Sequence, residues 1–304
     1  MKLLHFDKYH RIKQLIRQLF KNLYYLANTD LSDKFYETKD GAVEDSFYEF
    51  EQNKRLLKSL SVLSQEDSLS KLESFPKSFV RFGDGEIDII QGKDCSFQSY
   101  DPVLGSRLLD ILSSDRNDIY IGINRSYFQS AFGFIERNHR FYREHNTEYR
   151  RFFVSNCNSD VQYLDACCFG AYLRYEESFD YERHYQRLRN LINGRNIALV
   201  AGCGIIEKLE YQFFDVASDI IRINAPCINA FDEYDQLLSN IQNEVPINYL
   251  VCIILGQTAT VLAADLTEKG YLAWDMGHIA KEYDAYKRGM DKSKENLDKF
   301  WAPD

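Results

Sequence analysis

Apolar and polar positions along this chain change rhythm near residue 76. Between residues 9 and 27, Ile12, Leu15, Ile16, Leu19, Phe20, Leu23 and Leu26 recur at helical spacing, with basic residues over much of the opposite face. Residues 30–72 are acidic and mixed, with helical fragments from Phe47 to Leu63 and few strand signals. Residues 1–72 therefore read as a helical extension. Beyond them, short apolar runs alternate with longer amphipathic ones. The pattern predicts strands over 78–82, 118–123, 196–201, 219–224, 248–255 and 271–275. It predicts helices over 102–114, about 125–144, 181–193, 206–217, 231–243, 259–269 and 278–287. Runs such as Ile197-Ala198-Leu199-Val200 and Val251-Cys252-Ile253-Ile254-Leu255 are apolar throughout, as strands covered on both faces are. The alternation predicts an α/β domain over 73–304: a Rossmann-like, doubly wound, mostly parallel sheet.

With 304 residues, 45% of them hydrophobic, the chain can bury a substantial core. No apolar run reaches the ~18–20 residues that span a bilayer. The early apolar residues are interleaved with Lys and Arg, unlike a signal peptide. The seven cysteines are odd in number and contain no Cys-x-x-Cys, which suits reduced thiols in a cytoplasmic protein. A net charge of −9 argues against nucleic acid as a partner. The charge is uneven: residues 1–29 carry Lys2, Lys8, Arg11, Lys13, Arg17 and Lys21 against Asp7 alone. A basic amphipathic helix of that kind can lie on the anionic inner face of a membrane. The alternative is that its apolar stripe docks on the catalytic domain or on a second subunit of a homo-oligomer.

Four predicted strand ends carry glycine beside polar groups, and in a parallel sheet all four fall on one edge. In the first, Arg81-Phe82-Gly83-Asp84-Gly85-Glu86, two carboxylates stand two residues apart. On a helix they would point about 200° apart. A turn opened by Gly83 and Gly85 can face both to one point, and two hard oxygen donors there suit a divalent cation carrying phosphates. The second, Gly202-Cys203-Gly204, lets a nucleotide approach the backbone, although Glu207 stands where a dinucleotide fingerprint needs glycine. It also resembles the first motif of S-adenosylmethionine-dependent methyltransferases, with Ala201 in place of the usual acidic residue. In the third, Gly256-Gln257-Thr258-Ala259-Thr260, a buried strand opens a helix whose free amides can hold an anion, or Thr258 is simply its cap. In the fourth, Asp275-Met276-Gly277-His278, the imidazole can ligate a metal or donate to a phosphate, while Asp275 orients it or binds metal itself. Asp101-Pro102 reads as the cap and first residue of a helix. Asn229, in the turn after Pro226, is a cap or a contact.

Taken in order, Arg81-Phe82-Gly83-Asp84-Gly85-Glu86, Gln98-Ser99-Tyr100-Asp101-Pro102, Pro226 with Asn229-Ala230-Phe231, Leu255-Gly256 with Thr258-Ala259-Thr260, and Asp275 with Gly277-His278-Ile279 resemble the GT-D-type glycosyltransferase family. The resemblance covers residues 76–287. It implies a nucleotide-sugar donor, most simply a UDP-hexose, and a glycan acceptor. It also implies Mn2+ or Mg2+ held through Asp84-Gly85-Glu86, with His278 as a further candidate ligand. Arg81, Gly83, Gly202, Gly204, Asn229, Gly256, Thr258, Thr260 and Asp275 would line the donor pocket. The loop after Gly202 departs from the glycine-rich form common in the family, and residues 1–72 lie outside the resemblance. A methyltransferase and a non-catalytic nucleotide- or glycan-binding module are the competing expectations. The first would leave Asp84 and Glu86 without a role.

Overall fold

Eight strands form one all-parallel sheet in the computed structural model, which describes residues 60–128 and 133–302 together with Ile16, Leu19 and Phe20. They are β1 (Ser61–Val62), β2 (Ser78–Phe82), β3 (Ile119–Ile123), β4 (Gln162–Asp165), β5 (Asn196–Gly202), β6 (Asp219–Ala225), β7 (Leu250–Ile254) and β8 (Leu272–Asp275). Their spatial order is β1-β4-β3-β2-β8-β7-β5-β6. The six strands expected from apolar runs are all present. β1 and β4 were not expected, and β1 pairs with β4 although it falls within the stretch read as a helical extension. Because every strand is parallel, the ends of β2, β5, β7 and β8 share one edge, where open α/β sheets bind ligands.

Over residues 60–302 the described helices are α1 (Gln65–Ser74), α2 (Asp84–Ile90), α3 (Pro102–Ser113), α4 (Glu136–Asn156), α5 (Tyr181–Ile192), α6 (Tyr234–Glu244), α7 (Thr258–Glu268), α8 (Ile279–Lys287) and α9 (Lys294–Trp301). Asp101 caps α3 through bonds from the amides of Val103 and Leu104, with Pro102 in the first turn, as expected. The helix expected over 125–144 starts only at Glu136, with a 3-10 turn at Arg125–Tyr127 before it. The helix expected over 206–217 shrinks to a 3-10 turn, Ile206–Lys208. There the Asp284 carboxylate takes the amides of Glu210 and Tyr211, and the Gln212 side chain donates to the carbonyls of Ile206 and Leu209. Tertiary bonds thus replace the helical ladder.

The chain forms two compact units. One comprises residues 61–125 and 156–304 and contains the whole sheet. Its centre is aromatic: Phe79 meets Phe169 at 5.5 Å between ring centroids, and Phe169 meets Trp274 at 6.1 Å, all fully buried. The other comprises residues 1–60 and 126–155. In it, Tyr142, Tyr149 and Phe153 of α4 gather around the Tyr127 ring at 5.7, 4.9 and 5.8 Å. The basic amphipathic stretch 1–29 otherwise lies outside the described residues. Among the described residues, no helix is long and apolar enough to cross a membrane.

Candidate active site

β2 and β8 are neighbours, so Arg81, near the end of β2, reaches Asp275, the last residue of β8. Arg81 Nη2 donates to Asp275 Oδ1 at 2.9 Å, and Nη1 donates to the Ala166 carbonyl at 3.0 Å. Asp275 Oδ1 also accepts the Gly277 amide at 3.0 Å, and its Oδ2 takes a longer bond from the Thr260 hydroxyl at 3.4 Å. Burial works against the charge on Arg81, but Asp275, with smaller help from Glu86 and Cys167, outweighs it and the pKa rises. Gly277 is required here. Its φ is +56°, and a Cβ would lie 2.2 Å from Arg81 Nη2. Asp275 is 2% exposed and is occupied by protein donors, which makes it the anchor of Arg81.

The acidic element departs from its expected geometry. Asp84-Gly85-Glu86 is not a turn but the first turn of α2, with Gly83 at the cap position. Glu86 folds back to accept the Gly83 amide at 2.7 Å, the N3-carboxylate half of a capping box, which satisfies an otherwise orphaned donor. Asp84 is exposed and Glu86 half-buried. Burial raises the Glu86 pKa to about 7, Asp275 and Asp84 add to the rise, and the Gly83 amide and Arg81 oppose it. Among the described residues no group of three or more His, Cys, Asp or Glu could hold a metal ion. Asp84, Glu86 and His278 are thus not gathered into one three-residue cluster in this structure. His278, at the start of α8, keeps aromatic company instead: Phe97 at 5.5 Å, Trp301 at 5.1 Å and Phe300 at 6.2 Å.

The turn after β7 opens α7. Gly256 takes φ +51°, Gln257 holds the cap position and Thr258 begins the helix, so Thr258 is not the cap. Both threonines are fully buried. The Thr258 hydroxyl donates to Gln98 Oε1 at 3.3 Å and the Thr260 hydroxyl to the Arg81 carbonyl at 2.9 Å. Their expected place against a phosphate is thereby corrected: the hydroxyls point into the protein, and only the turn's backbone amides are suited to an anion. Gln257 packs on the start of α2, where a Cβ on Gly85 would come 2.1 Å from its Nε2.

On the β5–β6 side the glycines serve packing. A Cβ on Gly202 would meet Ile205 Cδ1 at 2.7 Å and Cys227 Sγ at 2.9 Å. Gly204 takes φ +77° with only Lys208 nearby. Asn229, itself left-handed at φ +54°, accepts the Ser99 amide on Oδ1 at 2.7 Å and donates its own amide to the Phe97 carbonyl at 2.9 Å. It ties two loops together rather than capping with its side chain. Sequence reasoning missed Phe97, Gln98 and Gln257 as site residues. Gln98 accepts from both Thr258 and the Phe231 amide, joining three of the motif segments, yet a lone glutamine carries no periodic signal.

The family model described as Glycosyltransferase GT-D fold matches residues 79–302. This chain belongs to that family. Solved relatives agree with the sheet: a domain of unknown function 1792 described as having a distinct glycosyltransferase fold is 30% identical, with TM-score 0.74, over 84% of this chain and 95% of that one. A second, described as a new glycosyltransferase from Streptococcus sanguinis, is 25% identical with TM-score 0.71, over 81% and 94%. Glycosyltransferase GlyD of Streptococcus pneumoniae serotype 4 is 28% identical over 84% of this chain and 33% of its own length. Probable glycosyl transferase Gly of Streptococcus gordonii is 28% identical over 76% and 34%. The chain thus spans about a third of the length of these curated relatives. Membership of the GT-D-fold glycosyltransferases leaves the methyltransferase reading of Gly202-Cys203-Gly204 without support, in keeping with the packing role of Gly202.

Proposed function

We propose that this chain transfers a hexose from a nucleoside-diphosphate sugar, most simply a UDP-hexose, to a lipid-linked or protein-linked glycan acceptor, as in surface polysaccharide or glycoprotein assembly. The observation that carries the reading is the charge arrangement at the end of β2: Glu86, lifted to about 7, between exposed Asp84 and the Arg81–Asp275 pair. A concentration of carboxylates that resists full ionisation is a place where a cation lowers the energy. Mn2+ or Mg2+ usually takes only one or two carboxylates and completes its shell with substrate phosphates and water. Asp84 and Glu86 fit that partial donor set, and the ion, when bound, would supply Lewis-acid stabilisation of the departing diphosphate.

The residues of the chain do the rest. Transfer breaks the bond between the sugar and the diphosphate and leaves negative charge on the nucleoside diphosphate. The Gly256–Thr258 amides at the positive end of α7 are suited to hold that charge as it develops. Arg81, fixed by Asp275 yet about a fifth exposed, adds a positive charge at the same edge. Asp275 acts through Arg81 and not on the substrate.

Thermal-shift measurements with nucleotide sugars, with and without Mn2+, test the reading. A ligand at 100 times its Kd adds about 2.7 kcal/mol of stability. Manganese-dependent stabilisation, with nucleoside diphosphate released on adding acceptor, is expected. Stabilisation by no nucleotide sugar, in either condition, would end the proposal. Residues 1–29 are proposed to hold the enzyme peripherally at an anionic inner membrane face. Flotation with anionic vesicles, lost in high salt and on deleting 1–29, is the expected result, and no binding at low salt rejects it.

A further inference from the structure

We propose that Phe97, His278 and Trp301 form the platform on which the nucleobase of the donor stacks. The inference rests on the nucleotide-sugar reading above and adds which part of the donor lies where. The three rings come from separate parts of the chain: the loop before α3, the start of α8 and the end of α9. His278 joins the other two, at 5.5 Å to Phe97 and 5.1 Å to Trp301. Neither pair is stacked face to face, with interplanar angles of 48° and 88°. All three are partly exposed, whereas Phe300, which backs His278, is buried. A cluster of partly exposed aromatic rings at a sheet's ligand-binding edge offers π faces to a planar ligand.

Position decides between base and sugar. Phe97 lies against the anion-suited turn: a Cβ on Gly256 would meet Phe97 Cβ at 3.4 Å. The next residue, Gln257, lies instead against Gly85, in the turn that bears Asp84 and Glu86. A diphosphate on this turn therefore has aromatic rings beside Gly256 and carboxylates with an amide beside Gln257. A hexose needs hydrogen-bond partners for its hydroxyls, which the carboxylate side supplies. A base needs flat apolar area, which the aromatic side supplies. Phe97 is also held in place, since its carbonyl accepts the Asn229 amide and the Ser99 amide is bonded to the Asn229 side chain. This gives Asn229 a positioning task, through the loop rather than by touching the donor.

The two tryptophans make the test direct, because Trp274 is fully buried and only Trp301 is accessible to a ligand. Tryptophan emission of the full chain is titrated with UDP, GDP, CDP, ADP and dTDP in Mn2+, with inorganic pyrophosphate as the base-free probe. At least one nucleotide should quench the emission saturably, pyrophosphate should not, and Trp301→Leu should abolish the quench. By calorimetry, Phe97→Leu should weaken that nucleotide about tenfold or more while leaving pyrophosphate within twofold. Trp301→Tyr should retain affinity, which keeps the test sound if Trp301→Leu folds poorly. The platform is rejected if pyrophosphate quenches as the nucleotide does. It is equally rejected if Phe97→Leu and Trp301→Leu both bind within twofold of wild type. Release of nucleoside diphosphate from a nucleotide sugar by wild type, with no base-dependent quench, rejects the platform alone. No nucleotide binding and no release rejects the functional reading as well.

Discussion

The two glycine-bearing regions of the sheet edge look alike in sequence and differ in build. At β2–β8, glycine makes room for charge: Gly277 clears the Arg81 guanidinium, which is paired with nearly buried Asp275. At β5–β6, glycine makes room for packing: Gly202 clears Ile205 and the Cys227 thiol, with no ion pair at that glycine. A Gly-x-Gly at a strand end thus marks a close approach without saying what approaches. The first region carries a carboxyl raised to about 7, Glu86. In the second, the Glu207 carboxyl beside Gly204 is lowered by backbone amides and by its exposed pair with Arg222. The functional proposal follows Glu86.

The largest separation between the regions should come from Asp275→Asn. Removing one partner of a nearly buried pair leaves Arg81 without its counter-charge, a loss of about 3 kcal/mol or more. Urea unfolding should show it, together with a loss of transfer, whereas Cys227→Ala should cost about 1 kcal/mol or less and leave transfer intact. Equal losses would dissolve the distinction.

Glu86 sharpens the comparison through pH. Below about 4.5, the ordinary carboxyl value, both folded and unfolded chains hold the proton and nothing is lost. Between there and about 7 the unfolded chain releases it first, so stability falls as pH rises and levels off above the folded value. The cost at pH 8 is at most about 3 kcal/mol. Glu86→Gln should be flatter than wild type between pH 5 and 8 in metal-free urea titrations. The same variant, and Asp84→Asn, should lose at least a hundredfold in metal-dependent transfer while remaining folded. Parallel pH curves would show that Glu86 is not the perturbed group.

Alanine at two left-handed glycines, one in each region, comes next. Gly277→Ala meets both the left-handed backbone penalty and the Arg81 guanidinium, about 2–3 kcal/mol in all. Gly204→Ala meets the backbone penalty with open space around it, about 1 kcal/mol. Melting curves should rank them in that order. The smallest effect is assigned to Thr258→Val, which removes the bond to Gln98 for about 1 kcal/mol and should leave donor Kd unchanged. A tenfold rise in Kd would restore Thr258 to the phosphate site.

Legibility followed the range of the interactions. Apolar runs announced six strands, because burial on both faces of a parallel sheet leaves its mark in consecutive residues. β1, only Ser61–Val62, is too short to leave one, and β4 has just Tyr163-Leu164 apolar between Gln162 and Asp165. The equally short β8 lies in the apolar run Tyr271-Leu272-Ala273-Trp274. The start of α2 was misread because Asp84-Gly85-Glu86 has the composition of a turn. The signal that could have corrected it is the spacing of Gly83 and Glu86, an N-cap and its N3 carboxylate. His278 is a metal or phosphate candidate by its place at a strand end, and its aromatic neighbours Phe97 and Trp301, distant in sequence, appear only in the fold.

By itself, then, the sequence determined the α/β class, most strand positions, the Asp101-Pro102 helix start and the segments that meet at one edge. Each of these depends on residues within about one element of each other, where periodicity and capping chemistry act. The tertiary structure alone decided the partners: Arg81 with Asp275, 194 positions apart, Thr258 with Gln98, 160 apart, and Gln257 against Gly85. Such pairings are set by which strands become neighbours in the sheet, and burial then fixes which charges must pair and which side chains turn inward.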